Sequence, residues 1–256
     1  MKRYLVVLLA LLPLLFVSCK KEEVEKIELE FGYEYFPLDI GNTWIYEADS
    51  IIYDPAVSTI NIDTIHYFIR ETITDTLRDN TGQLIYRIQY SERKEDQAWV
   101  PTFVYTSSLE TTRAIRVENN FKFIKLVFPI SVGESWEGNV FIDPQTIVSV
   151  AGEPVRMFKD WTEYTLIQRL EQFSLDNTDY QNVVEVELSN SDNSIELRKA
   201  KEYYAENIGL IYQELMILDT QCRACCNFDR LECNNKVWTS RAERGFILRK
   251  KLLSFE

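Results

Sequence analysis

Four cysteines lie within twelve residues near the C-terminus, in the pattern Cys222-x2-Cys225-Cys226-x6-Cys233. An even number of cysteines in an exported chain indicates two disulfides. A bond between the adjacent Cys225 and Cys226 needs a strained ring. That leaves Cys222–Cys225 with Cys226–Cys233, or Cys222–Cys226 with Cys225–Cys233. In either case the loop at 222–233 is stiffened, by about 2–3 kcal/mol for each bond.

Four thiolates can also hold zinc, usually as two separated Cys-x2-Cys pairs. Here the second pair consists of the neighbour Cys226 and the distant Cys233, so zinc is the less favoured alternative. A redox Cys-x-x-Cys is weaker still, because no βαβ pattern surrounds it. We predict no metal and no cofactor.

Catalytic signatures are missing from the chain. His66 is the single histidine, which excludes clusters of histidine ligands and leaves one imidazole at most for a triad. No Gly-x-Ser-x-Gly, His-Glu-x-x-His or Gly-x-x-x-x-Gly-Lys occurs. With 40 acidic residues, a glycosidase-like pair of carboxylates stays open as an alternative. We predict that the protein is not an enzyme.

One further cysteine, Cys19, follows a segment typical of a secretory signal: Lys2 and Arg3, then an apolar run from Tyr4 to Val17. The run is too short for a membrane-spanning helix, which needs roughly 20 apolar residues. Its end, Phe16 to Cys19, resembles a bacterial lipobox. The resemblance implies that residues 1–19 are a lipoprotein signal peptide and that Cys19 carries acyl chains such as palmitate.

The residues after Cys19 predict a charged, flexible tether at 20–32. Its start, Lys20-Lys21-Glu22-Glu23, resembles the surface-export signal of Bacteroidota lipoproteins. We therefore expect an outer-membrane lipoprotein, with the cell surface favoured over the periplasmic face.

The charge balance argues against nucleic acid as a partner. Removal of residues 1–19 takes away Lys2 and Arg3 and no acid, which leaves 26 basic and 40 acidic residues and a net charge of −14. Such a surface repels nucleic acid and anionic lipid headgroups, so the lipid is the expected contact with the membrane. We interpret Arg70, Glu71 and the basic residues at 241–251 as members of surface ion pairs, each worth little.

Apolar and polar residues alternate with period two through most of the chain, which indicates β-strands with one polar face each. The best examples are listed here: Trp44–Tyr53, Leu84–Glu92, Trp99–Thr106, Arg113–Glu118, Phe121–Val127, Tyr164–Phe173, Ile195–Tyr204, Leu210–Ile217 and Phe246–Phe255. We predict an all-β fold with a curved antiparallel sheet, a half-barrel or a sandwich. It forms a single β-rich domain at 33–256 with few helices, built from two pseudo-repeated halves.

The suggestion of two halves comes from a repeated motif. FPLDIGNTW at 36–44 returns as FPISVGESW at 128–136. Gly41 and Gly133 permit a turn with positive φ, and Trp44 and Trp136 follow at the start of a new strand. We interpret both copies as a strand, a turn and an aromatic plug that seals the sheet. The alternative is that the two tryptophans form one platform for a sugar or an apolar ligand.

Several blocks together resemble a family of uncharacterised cell-envelope lipoproteins from Bacteroidota. They span nearly the whole chain after residue 31: FGYEYFPLDIGNTWIYEADSIIYD, IRETITDTLRDNTGQLIYRIQYSER, IKLVFPISVGESWEGN, YYAENIGLIYQE and RAERGFILRKKLLSF. The resemblance implies a place in the cell envelope and lipidation of Cys19, and it implies no activity. We expect a binding, accessory or assembly component with an envelope protein as partner. The alternatives are a carrier or sensor of an apolar ligand in a cavity of the curved sheet, and a glycan hydrolase.

Overall fold

The computed structural model of the chain describes residues 31–55 and 60–256. The predicted signal peptide, Cys19 and residues 20–30 of the predicted tether lie outside the described residues. The last two residues assigned to the tether are packed: the Phe31 carbonyl accepts a hydrogen bond from the Ile130 amide, and Gly32 lies so close to Ile130 that no Cβ would fit. The folded domain therefore includes Phe31 and Gly32.

The described residues are mostly β-strands, as the alternation predicts. The strands are β1 Thr43–Pro55, β2 Ile60–Arg78, β3 Leu84–Arg93, β4 Val100–Leu109, β5 Arg113–Glu118, β6 Phe121–Val127, β7 Ser135–Trp136, β8 Ile147–Val150, β9 Glu153–Arg156, β10 Tyr164–Leu175, β11 Thr178–Asp192, β12 Glu196–Ala205, β13 Gly209–Asp219 and β14 Arg244–Phe255. The helical turns are α1 Arg223–Cys226, α2 Arg230–Asn234 and α3 Trp238–Arg241, with a 3-10 turn at Tyr33–Tyr35. The predicted all-β antiparallel fold is confirmed.

Two six-stranded meanders make up the main sheet. Its strand order within the described residues is β6-β5-β4-β3-β2-β1-β14-β13-β12-β11-β10-β7. The first half is β1 to β6, and the second half is β7 with β10 to β14. The halves join where the first strand of one pairs with the last strand of the other, with Ile51 opposite Ile247. This order is what a duplicated six-stranded unit would give.

The sheet curves until its two ends almost meet. The amide of Ile124 in β6 donates to the carbonyl of Gly138, just after β7, over 2.7 Å. Side chains of distant strands also touch across the inside, since Lys125 of β6 contacts Glu202 of β12 at 2.8 Å. The face that carries these contacts is the concave face. The core therefore lies inside the curve.

Two segments cover the sheet, one on each face. The insertion between β7 and β10, residues 137–163, includes the β8–β9 hairpin, and its buried residues Val155, Phe158 and Trp161 pack in the core against the concave residues of the second half. The helical segment at 222–241 covers the convex face, where Trp238 packs on Tyr53 and Leu218. Period-two alternation carries no signal for either segment. The sequence therefore predicted a loop at 222–233 but not its helical turns, and it did not predict the insertion.

Candidate functional site

The two motif copies make the same backbone contacts with a neighbouring strand, which is β2 for the first copy and β10 for the second. The Gly41 amide donates to the Ile73 carbonyl at 2.9 Å, and the Gly133 amide donates to the Leu166 carbonyl at 2.8 Å. In both copies the amide of the same strand residue, Ile73 or Leu166, donates in turn to the carbonyl of the residue after the glycine, at 3.0 Å. The glycines have φ angles of 101° and 86°, which side chains disfavour. Both copies are one structural device used twice.

The hydroxyl residue of the motif is also equivalent in the two copies. Thr43 Oγ1 lies 3.1 Å from Thr72 Oγ1, and Ser135 Oγ lies 2.8 Å from Thr165 Oγ1. In each copy the partner directly precedes the strand residue that bonds the glycine. These shared contacts explain why the motif has Thr or Ser at this position.

The two tryptophans differ in their surroundings. Trp44 is buried, and its Nε1 donates to the Ile208 carbonyl of the second half at 2.6 Å. Trp136 is half-buried and donates to the Ile124 carbonyl of the first half at 2.9 Å. They pack in different core clusters. Each indole therefore ties one half to the other, and the structure does not unite them as a single platform.

Behind Trp44 the concave face holds a chain of buried and half-buried charges. Arg116 lies between two carboxylates, with Nη2 at 2.9 Å from Glu71 and Nε at 2.7 Å from Glu118. Lys250 adds a contact with Glu71 at 3.5 Å, and Lys125 lies 3.3 Å from Glu118. Three cations and three anions alternate along this chain, which ends at Glu202.

Glu202 is fully buried and has three partners. It accepts hydrogen bonds from Lys125 Nζ at 2.8 Å, Gln213 Nε2 at 2.6 Å and the Tyr204 hydroxyl at 2.5 Å. A buried carboxylate is tolerated when it is paired and hydrogen-bonded in this way. The interior charges are therefore balanced without any ligand.

The sequence placed Glu71 and Lys250 on the surface, and this interpretation is wrong. Their exposed fractions are 3% and 7%. A signal was present in the alternation, since Glu71 is in phase with the buried Ile69 and Ile73 of β2. A charge in phase with core residues points inward, and its partners come from strands that the sequence does not show to be neighbours.

The pKa values of the two carboxyls beside Arg116 are lowered. Burial opposes ionisation of Glu71, but the charges of Arg116 and Lys250 outweigh it and hold its pKa below the usual range. For Glu118, Lys125 and Arg116 overcome burial in the same way and lower the pKa further. A glycosidase needs one carboxylic acid that is still protonated at working pH. This pair supplies no such acid.

The cavity beside these charges is small. It lies under Pro37, Leu38 and Trp44 of the first motif copy and has a volume of about 50 Å³. That is room for a few waters, at about 10–15 Å³ each. This cavity is therefore too small for an apolar cargo.

A larger opening lies on the concave face of the first half. The groove, as we call it, is lined by Ser50, Ile52, Ile65, Tyr67, Glu92, Arg93, Lys94, Gln97, Val100 and Thr102 and has a volume of about 450 Å³. Ile65 is 38% exposed and Val100 is 59% exposed. The second half has its concave face covered by the insertion at 137–163, whereas in the first half β1 runs directly on from Trp44. The groove is thus the part of the first half that no insertion fills.

One side of the groove is a strand edge. β2 pairs with β1 from Ile60 to Thr72, but β3 ends at Arg93, opposite Phe68. Among the described residues, Ile60–Tyr67 of β2 therefore has no ladder partner on its second side. Unpaired strand edges are ready templates for another strand.

The cysteine loop is held by polar contacts at both ends. Asp229 caps α2 by accepting from the amides of Leu231 and Glu232. Glu243 accepts from the amides of Gln221 and Ala224, both at 2.7 Å. These contacts bring the four sulfurs into one cluster.

Within that cluster the structure pairs Cys222 with Cys233 and Cys225 with Cys226. Both predicted connectivities are therefore wrong, because both excluded a bond between adjacent cysteines. The α1 turn separates Cys222 from its sequence neighbours and places its Cα 5.7 Å from that of Cys233, within the usual disulfide range. The remaining two cysteines, Cys225 and Cys226, therefore pair with each other. The Sγ atoms of Cys225, Cys226 and Cys233 lie within 4.8 Å of one another, so the zinc alternative needs these cysteines in the reduced, thiolate form.

His66 lies on the convex face of β2. Its Nδ1 is 2.9 Å from Asp49 Oδ1, and its Nε2 is 3.7 Å from Glu47 Oε1. The hydrogen bond to Asp49 raises the imidazole pKa above its ordinary 6.5. This contact lies on the surface, on the opposite face of the sheet from the groove. It includes no catalytic partner for the imidazole.

We expect Asp49→Asn to lower the pKa of His66 toward 6.5, because the imidazolium loses its carboxylate partner. The folded pKa is raised, so the contact stabilises the protein below about pH 6.5 and is lost as pH rises through the folded value. A proton NMR titration of the single histidine measures it without assignment. Asp75→Asn, a remote surface carboxylate, serves as control; an unchanged His66 pKa in Asp49→Asn would refute the contact.

Comparisons with known proteins give two similar structures. One is a candidate lipoprotein from Parabacteroides distasonis ATCC 8503, and the other is a candidate exported protein with a YmcC-like fold from Bacteroides fragilis NCTC 9343. Each has 8% sequence identity and a TM-score of 0.37; the alignments cover 87% and 86% of this chain and 98% of each of the others. No protein-family model matches the chain, and no curated protein matches it. Both similar proteins come from Bacteroidales, and neither name states a ligand or an activity.

Proposed function

We propose that the protein is a lipid-anchored, non-enzymatic component of the cell envelope that binds an extended polypeptide segment of an envelope partner in its groove. The observation that carries the proposal is the open concave face of the first half. The same face is filled by the chain itself in the second half. Exposed apolar side chains in a concavity are a typical binding surface.

The free edge of β2 supports an extended segment as the ligand. A strand added along Ile60–Tyr67 would occupy the place next to β2 that β3 leaves beyond Arg93. It would pair with the unpaired backbone N–H and C=O groups of β2. Every second side chain of that strand would point to the concave face, toward Ile65 and Tyr67. Glu92 and Lys94 give the groove a charged rim, which suits a polypeptide better than a purely apolar molecule.

We expect Ile65→Glu to abolish capture of the partner, because it places a charge on the apolar floor of the groove. Leu77→Glu is the matched control, since Leu77 lies on the same strand, outside the groove, and is similarly exposed, 41% against 38%. The measurement is mild cross-linking in native membranes, purification through the chain, and identification of the joined peptide by mass spectrometry. Equal capture by both variants would contradict the proposal. So would an organic-soluble ligand that co-purifies with no joined polypeptide, and that result would favour the apolar-ligand alternative.

The anchor is part of the proposal and rests on the sequence. Among the described residues, no helix is long and apolar enough to cross a membrane. We expect Cys19→Ala to remove acyl labelling and release the protein from the membrane fraction, because several acyl chains on Cys19 would anchor stably. Metabolic labelling with a fatty acid measures the first effect and fractionation the second. If Cys19→Ala were still acyl-labelled and still found in the membrane fraction, the anchor would be disproved.

We place the domain at the cell surface on the strength of the Lys20-Lys21-Glu22-Glu23 segment. Protease treatment of intact cells is expected to digest it. Full protection, with digestion after the outer membrane is opened, would assign it to the periplasmic side.

A further inference from the structure

A second cleft, separate from the groove, lies between the insertion and the ends of three strands of the second half. It is lined by Gln145, Ile147, Pro154 and Arg156 of the insertion and by Glu196, Asp219 and Arg244 of β12, β13 and β14. Its volume is about 450 Å³, within the range of small-ligand sites. The β8–β9 hairpin forms one wall and the sheet the other.

Two arginines and two carboxylates line this cleft, and further cations pair with the carboxylates from behind. Arg198 is buried and pairs with Asp219 at 2.7 Å, and Arg244 pairs with the same carboxylate at 3.2 Å. Lys159 pairs with Glu196. Arg156 is the second arginine of the lining, in addition to Arg244.

Arg156 is the cation that the cleft leaves without an acid. Its Nη1 donates to Gln145 Oε1 at 3.2 Å, and it has no carboxylate within ion-pair distance among the described residues. The neighbouring cations also act on Glu196. Burial raises the pKa of Glu196, yet Lys159, Arg198 and Arg156 together lower it below the usual range.

The floor of the cleft is rigidly built. The Arg198 guanidinium donates to the carbonyls of Arg156 at 3.0 Å, Leu197 at 2.8 Å and Leu218 at 3.1 Å. These bonds tie the hairpin of the insertion to β12 and β13. Arg156 and Arg244 are thus presented from opposite walls of a fixed cleft.

We propose that this cleft binds an oxyanion, the carboxylate or phosphate group of a small ligand, between Arg156 and Arg244. Planar guanidinium groups match such anions in a two-bond geometry. Ile147 on the rim, 63% exposed, offers a contact for the rest of the ligand. The site does not depend on the groove or on its partner.

The test is an NMR titration of the full-length chain with potassium phosphate and with potassium acetate, against potassium chloride at constant ionic strength. We expect saturable shifts of the Glu196 and Arg244 amide signals with at least one oxyanion and none with chloride. Arg156→Gln should weaken binding about tenfold or more, because a charge-assisted hydrogen bond is lost. Arg87→Gln, an exposed arginine elsewhere on the sheet, should bind as the unaltered chain does.

The outcomes separate the possible ligands. Saturation by phosphate alone assigns a phosphate-bearing ligand, and saturation by acetate assigns a carboxylate. Shifts that chloride reproduces, or equal binding by Arg156→Gln, would overturn the proposal. Arg156 is exposed, so its replacement leaves the fold intact, and Arg244→Gln gives a second variant on the opposite wall with the same expected loss.

Discussion

Arg116→Met is expected to lower the free energy of unfolding by about 3–5 kcal/mol, because it leaves the buried carboxylate of Glu71 and the half-buried carboxylate of Glu118 without the cation between them. Glu71 would keep Lys250 at 3.5 Å, and Glu118 would keep Lys125 at 3.3 Å. Neither contact replaces the two short bonds of the guanidinium. Urea unfolding of the two proteins measures the loss.

The matched control is Arg87→Met. Arg87 pairs with Asp75 in a two-bond geometry, but both side chains are exposed. Surface pairs contribute little, so this variant is expected to unfold almost as the unaltered chain does. An equally large loss in both variants would mean that burial of the charge chain is not what matters.

The Arg116→Met deficit is also expected to depend on pH. The folded pKa values of Glu71 and Glu118 are lowered, so their ion pairs stabilise the protein above the unfolded carboxyl pKa of about 4.3. That stability is lost as pH falls through the folded values. Without Arg116 both carboxyls protonate more readily, so the difference between the two proteins should shrink as the pH drops below about 4.

The second large effect is expected at Gly245, at the start of β14. Its φ is +106°, and a Cβ there would lie 2.0 Å from the Ile217 carbonyl oxygen. We expect Gly245→Ala to cost about 3–5 kcal/mol, since backbone strain and a clash with backbone atoms add. Thermal or urea unfolding measures it.

Gly41 of the first motif copy is the matched control for Gly245. Its φ of +101° is nearly the same, but no atom lies within 4 Å of the added Cβ. Gly41→Ala therefore carries the strain without the clash, and we expect a loss of about 1–2 kcal/mol. Equal losses in the two alanine variants would show that the close approach of β13 to Gly245 does not limit the side chain.

The strands could be predicted because each buries one face. Arg113–Glu118 and Phe121–Val127 were predicted with their observed bounds. The strand assignment of the C-terminal residues is also correct, since β14 spans Arg244–Phe255. The repeated motif indicated two halves, and the strand order is the one that such a duplication would give.

The candidate sites could not be predicted because they depend on curvature. Arg116 meets Glu71 only because the sheet bends enough for β5 to face β2 across the interior. The groove is open because the first half lacks the insertion that covers the same face of the second half. Arg156 and Arg244 are far apart in sequence and line one cleft only because the β8–β9 hairpin packs on β14. Charges spaced like these look like ordinary surface residues in the sequence.

The central claim is that the concave face of β2 binds an extended segment of a partner. Photo-reactive side chains placed one at a time from Asn61 to Tyr67, in the anchored protein in living cells, test it most directly. We predict that positions 61, 63, 65 and 67, which share the concave face, and positions 62, 64 and 66 on the convex face form adducts with alternate residues of one partner segment. Adducts without that alternation, or none at any of the seven positions, would contradict the account.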